Sequence, residues 1–376
     1  MARPRPATDP KERRTMTTSQ TQPYAKNLWY VAALASEVEA EALFSRTILD
    51  TLVLIYRKQD GTAVAMRDRC PHRFVPLSMG KRDGDDVVCA YHGLKFDCEG
   101  KCSHNPHGNQ HIPDAAKVQS FPLVERYGFL WIWMGDADKA DPNIIPDYTG
   151  LIDGHPNSVG YTYMYRECNY ELINDNVMDL SHIDHLHGEV ITTRGKLSPQ
   201  VPKINETDHS VTARWEWEQT PALLILNEFL PEPMASARHF IEITWEAPTN
   251  IQLSVGCTQD DAAALDLEGC VGQYDLHICT PESVGTTHYF FATRRNHLEE
   301  DGEFNKMKIQ AMHDAFVTED GPALDAVQQQ MESTDLFAMK PVLLPSDIAA
   351  VKVRRKLDGL VQAELAAPVG LVKESA

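Results

Sequence analysis

The chain has 376 residues, 43 % hydrophobic and 24 % charged, and its 35 Lys and Arg against 54 Asp and Glu give a net charge of −19. That length exceeds what one hydrophobic core normally organises, which excludes a lone small binding module; the composition excludes wholesale disorder. The negative charge repels a phosphate backbone and speaks against a nucleic-acid partner.

Residues 1–22 are polar and basic (Arg3, Arg5, Lys11, Arg13, Arg14) with nothing to bury, and are expected to form a mobile arm rather than a secretory signal. No later apolar run reaches the roughly 18–20 residues that cross a bilayer. Eight cysteines without an export signal read as thiols or metal ligands before they read as disulfides, so a cytoplasmic protein is expected. Residues 23–150 read as a small all-β domain, with strand-like runs at 47–56, 63–68, 87–91 and 129–134 and turns at Asp60-Gly61, Asp83-Gly84 and Glu99-Gly100. Within this domain stand Cys70-Pro71-His72 and, after sixteen further residues, Cys89-Ala90-Tyr91-His92. Two Cys-plus-His pairs beside turn residues can present four ligands to one centre. Zinc accepts such a set; so does a [2Fe–2S] cluster in which two thiolates hold one iron and two imidazoles the other. The single-residue gap in Cys-Pro-His is untypical of zinc ribbons, and the nearby Cys98 and Cys102 read as turn-region thiols.

A Pro- and Asp-bearing connector over 141–156 leads into a second domain, residues 151–376. A helical pattern at 171–186 carries the run Asn176 to His187, with three histidines and two aspartates in twelve residues. Two imidazoles and a carboxylate on one face of a metal leave positions open for oxygen. His182 and His185 share a helical face. His182 and His187 point roughly 140° apart on a regular helix, so their joint use requires the helix to end or distort between them, with Gly188 as a fitting stop. Asp179, three residues before His182, is placed to accept a hydrogen bond from that imidazole. Alternating strands follow at 211–217, 240–245, 251–256, 274–279 and 288–292, then amphipathic helices from 303 and over 346–365. Helices covering one face of an antiparallel sheet make the fold class α+β.

The strings CPHR and CAYHGLKFD resemble the Rieske signature of the ring-hydroxylating and demethylating non-haem iron oxygenases, and NVMDLSHIDHLH resembles that family's Asn-x-x-Asp-x-x-His-x-x-x-x-His element. Further strings, among them NLWYVAAL (27–34), HNPHGN (104–109), FPLVERYGFLWIW (121–133) and HICTPE (277–282), are similar to the monooxygenase branch of the dicamba and vanillate O-demethylases. The resemblance implies a Rieske domain followed by a helix-grip-like catalytic domain. It implies that Cys70, His72, Cys89 and His92 hold a [2Fe–2S] cluster. It also implies that His182 and His187, rather than His185, hold Fe(II) together with a carboxylate from a late helix. Asp320 is the choice for that carboxylate, with Glu319 and Asp314 as weaker candidates; the Gly321-Pro322 pair after it is expected to restart or kink the helix.

By the same resemblance, Asn176 and Asp179 belong to the catalytic machinery, Asp179 bridging the centres of neighbouring subunits in a homotrimer, and His277 helps hold the substrate's polar group. Where the dicamba enzyme has Arg-Trp-Asn, this chain has Thr244-Trp245-Glu246. A Glu246 carboxylate facing the pocket would repel an aromatic acid, so a neutral or amine-bearing small aromatic substrate is expected. The implied activity is that of a terminal oxygenase component that uses O2 to dealkylate such a compound. The sequence contains no Gly-rich dinucleotide fingerprint and no flavin motif, so NAD(P)H is expected to act only through a separate reductase and ferredoxin. A cis-dihydroxylating dioxygenase shares both metal sites and is the alternative. A non-catalytic Rieske electron carrier would leave the second domain unexplained.

Overall fold

A computed structural model describes residues 24–188, 191 and 193–367 of the chain; the expected arm at 1–22 lies outside these. The first part is built from three small antiparallel sheets. Trp29–Leu34 pairs with Phe129–Trp133, which pairs with Leu123–Arg126. Phe44–Ile48, Thr51–Arg57, Ala63–Arg67 and Ser120–Phe121 form a second sheet, and Lys81–Asp83, Asp86–Val88, Lys95–Phe96 and Cys102–His104 a third. The expected turns fall where Asp-Gly and Glu-Gly place them. At Gly100, with φ +80°, a Cβ would lie 2.0 Å from the Val118 carbonyl oxygen, so only glycine lets the two segments meet.

One expected strand is two. Residues 47–56 divide into a hairpin whose turn residues, Leu49 and Asp50, have φ of 48° and 60°. Aspartate tolerates such a turn, but leucine disfavours it. It is held from outside: the Leu49 and Asp50 amides donate to the carbonyls of Pro281 and Glu282, both at 2.9 Å, and the Tyr24 hydroxyl donates to Asp50 at 3.1 Å. Tertiary contacts have overridden the local preference.

The second part centres on one seven-stranded antiparallel sheet, in the order Val159–Arg166, Thr286–Arg295, Val271–Ser283, Asn250–Thr258, Ser236–Glu246, Ser210–Pro221 and Lys203–Glu206. The five inner strands were expected; the two edges were not, because their alternation is mixed and their exposure partial. Successive side chains of a strand face opposite sides, and here both sides are covered. Even-numbered Leu276, Ile278, Phe290 and Ala292 pack on Trp29, Val31, Phe129 and Trp131 of the first part. Odd-numbered Ile241, Ile243, Trp245, Val255 and Phe291 turn toward the helices. The architecture is therefore the expected α+β one, with an all-β part seated on the back of a helix-covered sheet.

Four helices shape the front: Tyr170–Met178, Gly302–Ala315, Gly321–Gln330 and Ile348–Ala366. The last packs on the first through Arg354, which is 5 % exposed and donates to Glu171 at 2.8 Å and to Asp175 at 2.6 and 2.9 Å.

Candidate functional site

The two Cys-plus-His motifs form matching loops at one end of the first part. Cys70 N donates to Val75 O at 2.9 Å and Phe74 N to Cys70 O at 3.0 Å; Cys89 N donates to Leu94 O at 2.8 Å and Gly93 N to Cys89 O at 3.0 Å. The fourth residue after each cysteine turns left-handed, Phe74 at φ 65° and Gly93 at φ 72°, and Phe74 is steadied by the Arg69 guanidinium 4.0 Å above its ring. The loops bury Cys70 and Cys89 and bring the His72 and His92 rings to 4.6 Å between centroids, with His72 exposed. Burial pushes the Cys70 thiol up to about 11, and the Cys89 sulfur beside it adds to this. Metal binding would release those protons. A single zinc needs its four ligand atoms around one point. Among the described residues, the group of three or more such side chains whose ligand atoms lie within 4.8 Å of one another is His182, His187 and Asp320, not this quartet. A thiolate pair and an imidazole pair held apart suit the two irons of a Rieske cluster. Cys98 and Cys102 stay outside the arrangement as free thiols.

The second centre is assembled from the helix Tyr170–Met178 and the turn after it. The helix begins at Asn169, whose side chain caps Glu171 N at 2.9 Å, and ends at Met178, earlier than the pattern over 171–186 suggested. Asp179 is extended, and its carboxylate caps Ser181 N at 3.0 Å, starting a 3₁₀ turn over Leu180–Asp184. The helix therefore breaks before His182, and Gly188 is not what stops it. The imidazole of His182 donates through Nδ1 to the backbone carbonyl of Asp179 at 2.7 Å, so the carbonyl and not the expected carboxylate is its acceptor. His187 Nδ1 bonds Glu319 at 2.5 Å. His185 turns away to Ser198 Oγ at 2.9 Å.

Asp320 enters from the opposite side. The Gly321-Pro322 pair neither restarts nor kinks the helix as a break. The helix Gly302–Ala315 passes through one π turn, Phe316–Asp320, into Gly321–Gln330, and this widening accommodates the proline while turning Asp320 inward. Asp320 is 3 % exposed, and its Oδ1 lies 3.5 Å from both His182 Nε2 and His187 Nε2, with Asn176 Nδ2 donating to it at 3.1 Å. Asp314 is exposed on the preceding helix, bonded to Gln310. With Nδ1 of each ring engaged by an oxygen acceptor, an imidazole that carries no second proton presents a bare Nε2 lone pair. Burial also pushes His182 below its ordinary value, against the pull of Asp320. Two lone pairs and a carboxylate oxygen facing one another repel unless a cation stands between them. The donor set of two imidazoles and one carboxylate fits a non-haem iron.

Family models match the chain over both parts. Residues 28–122 match the Rieske [2Fe-2S] domain, and residues 166–363 match the vanillate O-demethylase oxygenase C-terminal domain. The chain belongs to the Rieske non-haem iron oxygenases. It is 34 % identical to the oxygenase component of dicamba O-demethylase from Stenotrophomonas maltophilia over 91 % of this chain and 99 % of that one. The oxygenase component of chloroacetanilide N-alkylformylase from Rhizorhabdus wittichii is 33 % identical over 91 % of this chain and 97 % of that one. The crystal structure of dicamba monooxygenase bound to dicamba superposes with a TM-score of 0.83, covering 92 % of this chain and all of that one at 34 % identity. The chain is thus an oxygenase component whose cofactors are a Rieske [2Fe-2S] cluster and a non-haem iron. Among the described residues no helix is long and apolar enough to cross a membrane.

Beside His182, His187 and Asp320 the oxygenase has a cavity of about 90 Å³ that opens to solvent. Its walls are mainly apolar, with Leu223, Ile241, Leu253, Val255, Met312 and Phe316 among them. His277 lines it, bonded through Nδ1 to the Tyr289 hydroxyl at 2.6 Å, and burial lowers its imidazole to about 3. Glu246 does not line it. It occupies an even position at the end of Ser236–Glu246, pairs with Ser210 and Asn250, and interacts with Tyr148 on the sheet's other face, where burial raises its carboxyl. One residue of parity separates it from the pocket face that Trp245 joins, so the expected role of Glu246 in substrate selection is withdrawn. The sequence reading also missed Gln273 and Asp275, which line the cavity from the same strand as His277. The available signal was polar residues at every second position from Gln273 to His277, between Tyr274, Leu276 and Ile278.

Asp184 ties the cavity's outer wall to the histidine turn. Its Oδ1 accepts from the Thr193 hydroxyl and from Gly195 N at 3.0 Å, and its Oδ2 from Leu197 N at 3.0 Å and Ser198 N at 2.7 Å. Burial works to raise this carboxyl, but the donors from Ser198, Thr193 and Leu197 outweigh it and hold it below its ordinary value. A depressed folded value gives stability that is complete above the unfolded value of about 3.9 and is lost as pH falls through the lower folded one. Amide exchange at Leu197 and Ser198 is therefore expected to stay slow in the native protein until pH falls below about 4. In Asp184→Asn it is expected to rise about tenfold or more at neutral pH, because an amide NH2 replaces one acceptor.

Proposed function

We propose that this oxygenase dealkylates a small aromatic ether or N-alkyl amide, with Cys70, His72, Cys89 and His92 holding the cluster and His182, His187 and Asp320 holding the iron. Residues 23–150 would serve electron entry and residues 151–376 the chemistry. The observation that carries this reading is the convergence of His182, His187 and Asp320 on the wall of a mainly apolar cavity. Relatives that release alkyl groups from oxygen or nitrogen support it.

Iron bound at the triad supplies the activation of dioxygen with electrons arriving through the cluster. The chain's residues supply the positioning. The Asp179 carbonyl and Glu319 fix the two imidazoles so that both Nε2 atoms face inward, and Asn176 steadies the Asp320 carboxylate. The apolar walls hold the aromatic ring and exclude water around the reacting carbon. His277, kept neutral by burial, offers Nε2 to a polar group of the substrate. Hydroxylation of a carbon next to oxygen or nitrogen yields a hemiacetal or hemiaminal, which loses an aldehyde.

The same reading takes the working unit as a cytoplasmic homotrimer, with Asp179 at the junction between copies. The exposed His72 and the apolar concavity beside it, lined by Pro71, His92 and Leu94, support an electron path leaving the chain at this face. A single-turnover reaction of chemically reduced, iron-loaded protein with O2 and a panel of aryl methyl ethers, N-alkyl anilides and plain arenes tests the function. Aldehyde from an ether or anilide is expected; a cis-diol without aldehyde would assign the chain to the dioxygenases.

A further inference from the structure

The strand Val271–Ser283 carries Gln273, Asp275 and His277 at alternate positions, facing the helices that bring the iron-binding residues. None is more than 3 % exposed, and each has a polar atom without a partner: Gln273 Oε1, Asp275 Oδ1 and His277 Nε2. Gln273 Nε2 donates to Asp275 Oδ2 at 2.6 Å. That bond orients the amide, because a carboxylate can only accept, and it leaves Gln273 Oε1 without a donor. The two unpartnered oxygens therefore belong to neighbouring inward positions, whose backbones are about 6.6 Å apart along the strand. The cation whose field reaches Asp275 is Lys308, bonded to Thr293 Oγ1 at 3.4 Å on the adjacent strand; it does not line the cavity.

Buried acceptors are rarely left without donors, and a few convergent polar groups in an apolar cavity normally set ligand orientation. For Gln273 Oε1 and Asp275 Oδ1 the missing partners are donors. An aromatic carboxylate would add two further acceptor oxygens to this wall, and among the described residues no lysine or arginine lines the cavity to pair with them.

We propose that Gln273 and Asp275 are the specificity-determining residues of the cavity, and that they select a neutral or cationic aromatic substrate bearing an N–H or O–H donor, such as an anilide or arylamine, over an aromatic carboxylate. The proposal rests on the dealkylase reading and replaces Glu246 with residues that face the cavity.

Calorimetric titration of the oxidised holoenzyme under argon tests it, with para-methoxyacetanilide, para-methoxytoluene and para-methoxybenzoate as probes. The acetanilide is expected to bind at least about tenfold more tightly than the benzoate and about fivefold more tightly than the toluene. Gln273→Met is expected to erase the acetanilide's advantage over the toluene, whose own affinity stays within about twofold and so reports an intact cavity. Asp275→Asn, which presents an amide donor, is expected to narrow the gap to the benzoate. Benzoate binding as tight as acetanilide binding in the native protein, a donor preference that survives both variants, or no binding of the acetanilide at all would overturn the proposal. Aldehyde release in air is read separately. Donor preference without aldehyde from any probe overturns the dealkylase reading and leaves the subsite standing, whereas aldehyde from the benzoate alone overturns the subsite.

Discussion

Asp320→Ala abolishes product formation and iron retention at the second centre while leaving the cluster's visible spectrum unchanged. The variant removes the oxygen that faces both His182 Nε2 and His187 Nε2 at 3.5 Å and leaves the two imidazoles without a carboxylate opposite them. Loss of an outer-shell partner alone costs 10- to 100-fold in metal affinity or activity, so loss of this carboxylate is expected to cost more than about a hundredfold. Among the described residues, no backbone hydrogen bond joins the loops at Cys70–Val75 and Cys89–Leu94 to the π turn that carries Asp320. Iron analysis beside the cluster absorbance checks the result. Retention of iron with normal turnover would remove Asp320 from the ligand set.

Arg354→Met destabilises the second part more than any surface change would. Arg354 is the buried cation between Glu171 and Asp175, and methionine leaves both carboxylates in a site built around a guanidinium. Breaking one side of a buried pair costs about 3–5 kcal/mol, which corresponds to a melting temperature lower by about 6–20 °C. Burial already raises the Asp175 carboxyl against the pull of Arg354. Without Arg354 it rises further, so the deficit is largest above that folded value and shrinks as pH falls through it, a protonated carboxyl needing no counter-charge. Calorimetry of native protein and variant across pH 4.5 to 8 reads both the loss and its sign. Because the helix Tyr170–Met178 also carries Asn176 and runs into Asp179, looser iron binding accompanies the thermal shift.

The parts of this molecule written in short-range chemistry were readable from its sequence. The spacing of Cys70, His72, Cys89 and His92 indicated two ligand-bearing loops, and the Asp-Gly and Glu-Gly turns and the alternation of the inner strands were as expected. The centre around Asp320 was less open, because its geometry depends on long-range contacts. That Glu319 would orient His187 while Asp320 faced both rings follows from one π turn, which residue identity at 316–322 does not announce. The misplacement of Glu246 came from strand parity. An inward or outward assignment needs the register against neighbouring strands, and a sheet buried on both faces lacks the polar side that normally reveals it. The same double burial hid Gln273 and Asp275, whose alternation with Tyr274 and Leu276 looks like an exposed face until the front is known to be a cavity. The hairpin at Leu49 and Asp50 and the Arg354 cluster depend on partners more than a hundred residues away.

The central claim is that the two centres act together on a substrate in the cavity. Stopped-flow absorbance tests it by following the reduced cluster after mixing with O2 and an aryl methyl ether, in native protein and in protein whose mononuclear site has been stripped by a chelator. The account predicts that the cluster is oxidised and aldehyde released in the native protein, and that the cluster stays reduced over the same interval in the stripped protein until Fe(II) is restored. Equal cluster oxidation in both, or aldehyde from the stripped protein, would contradict it.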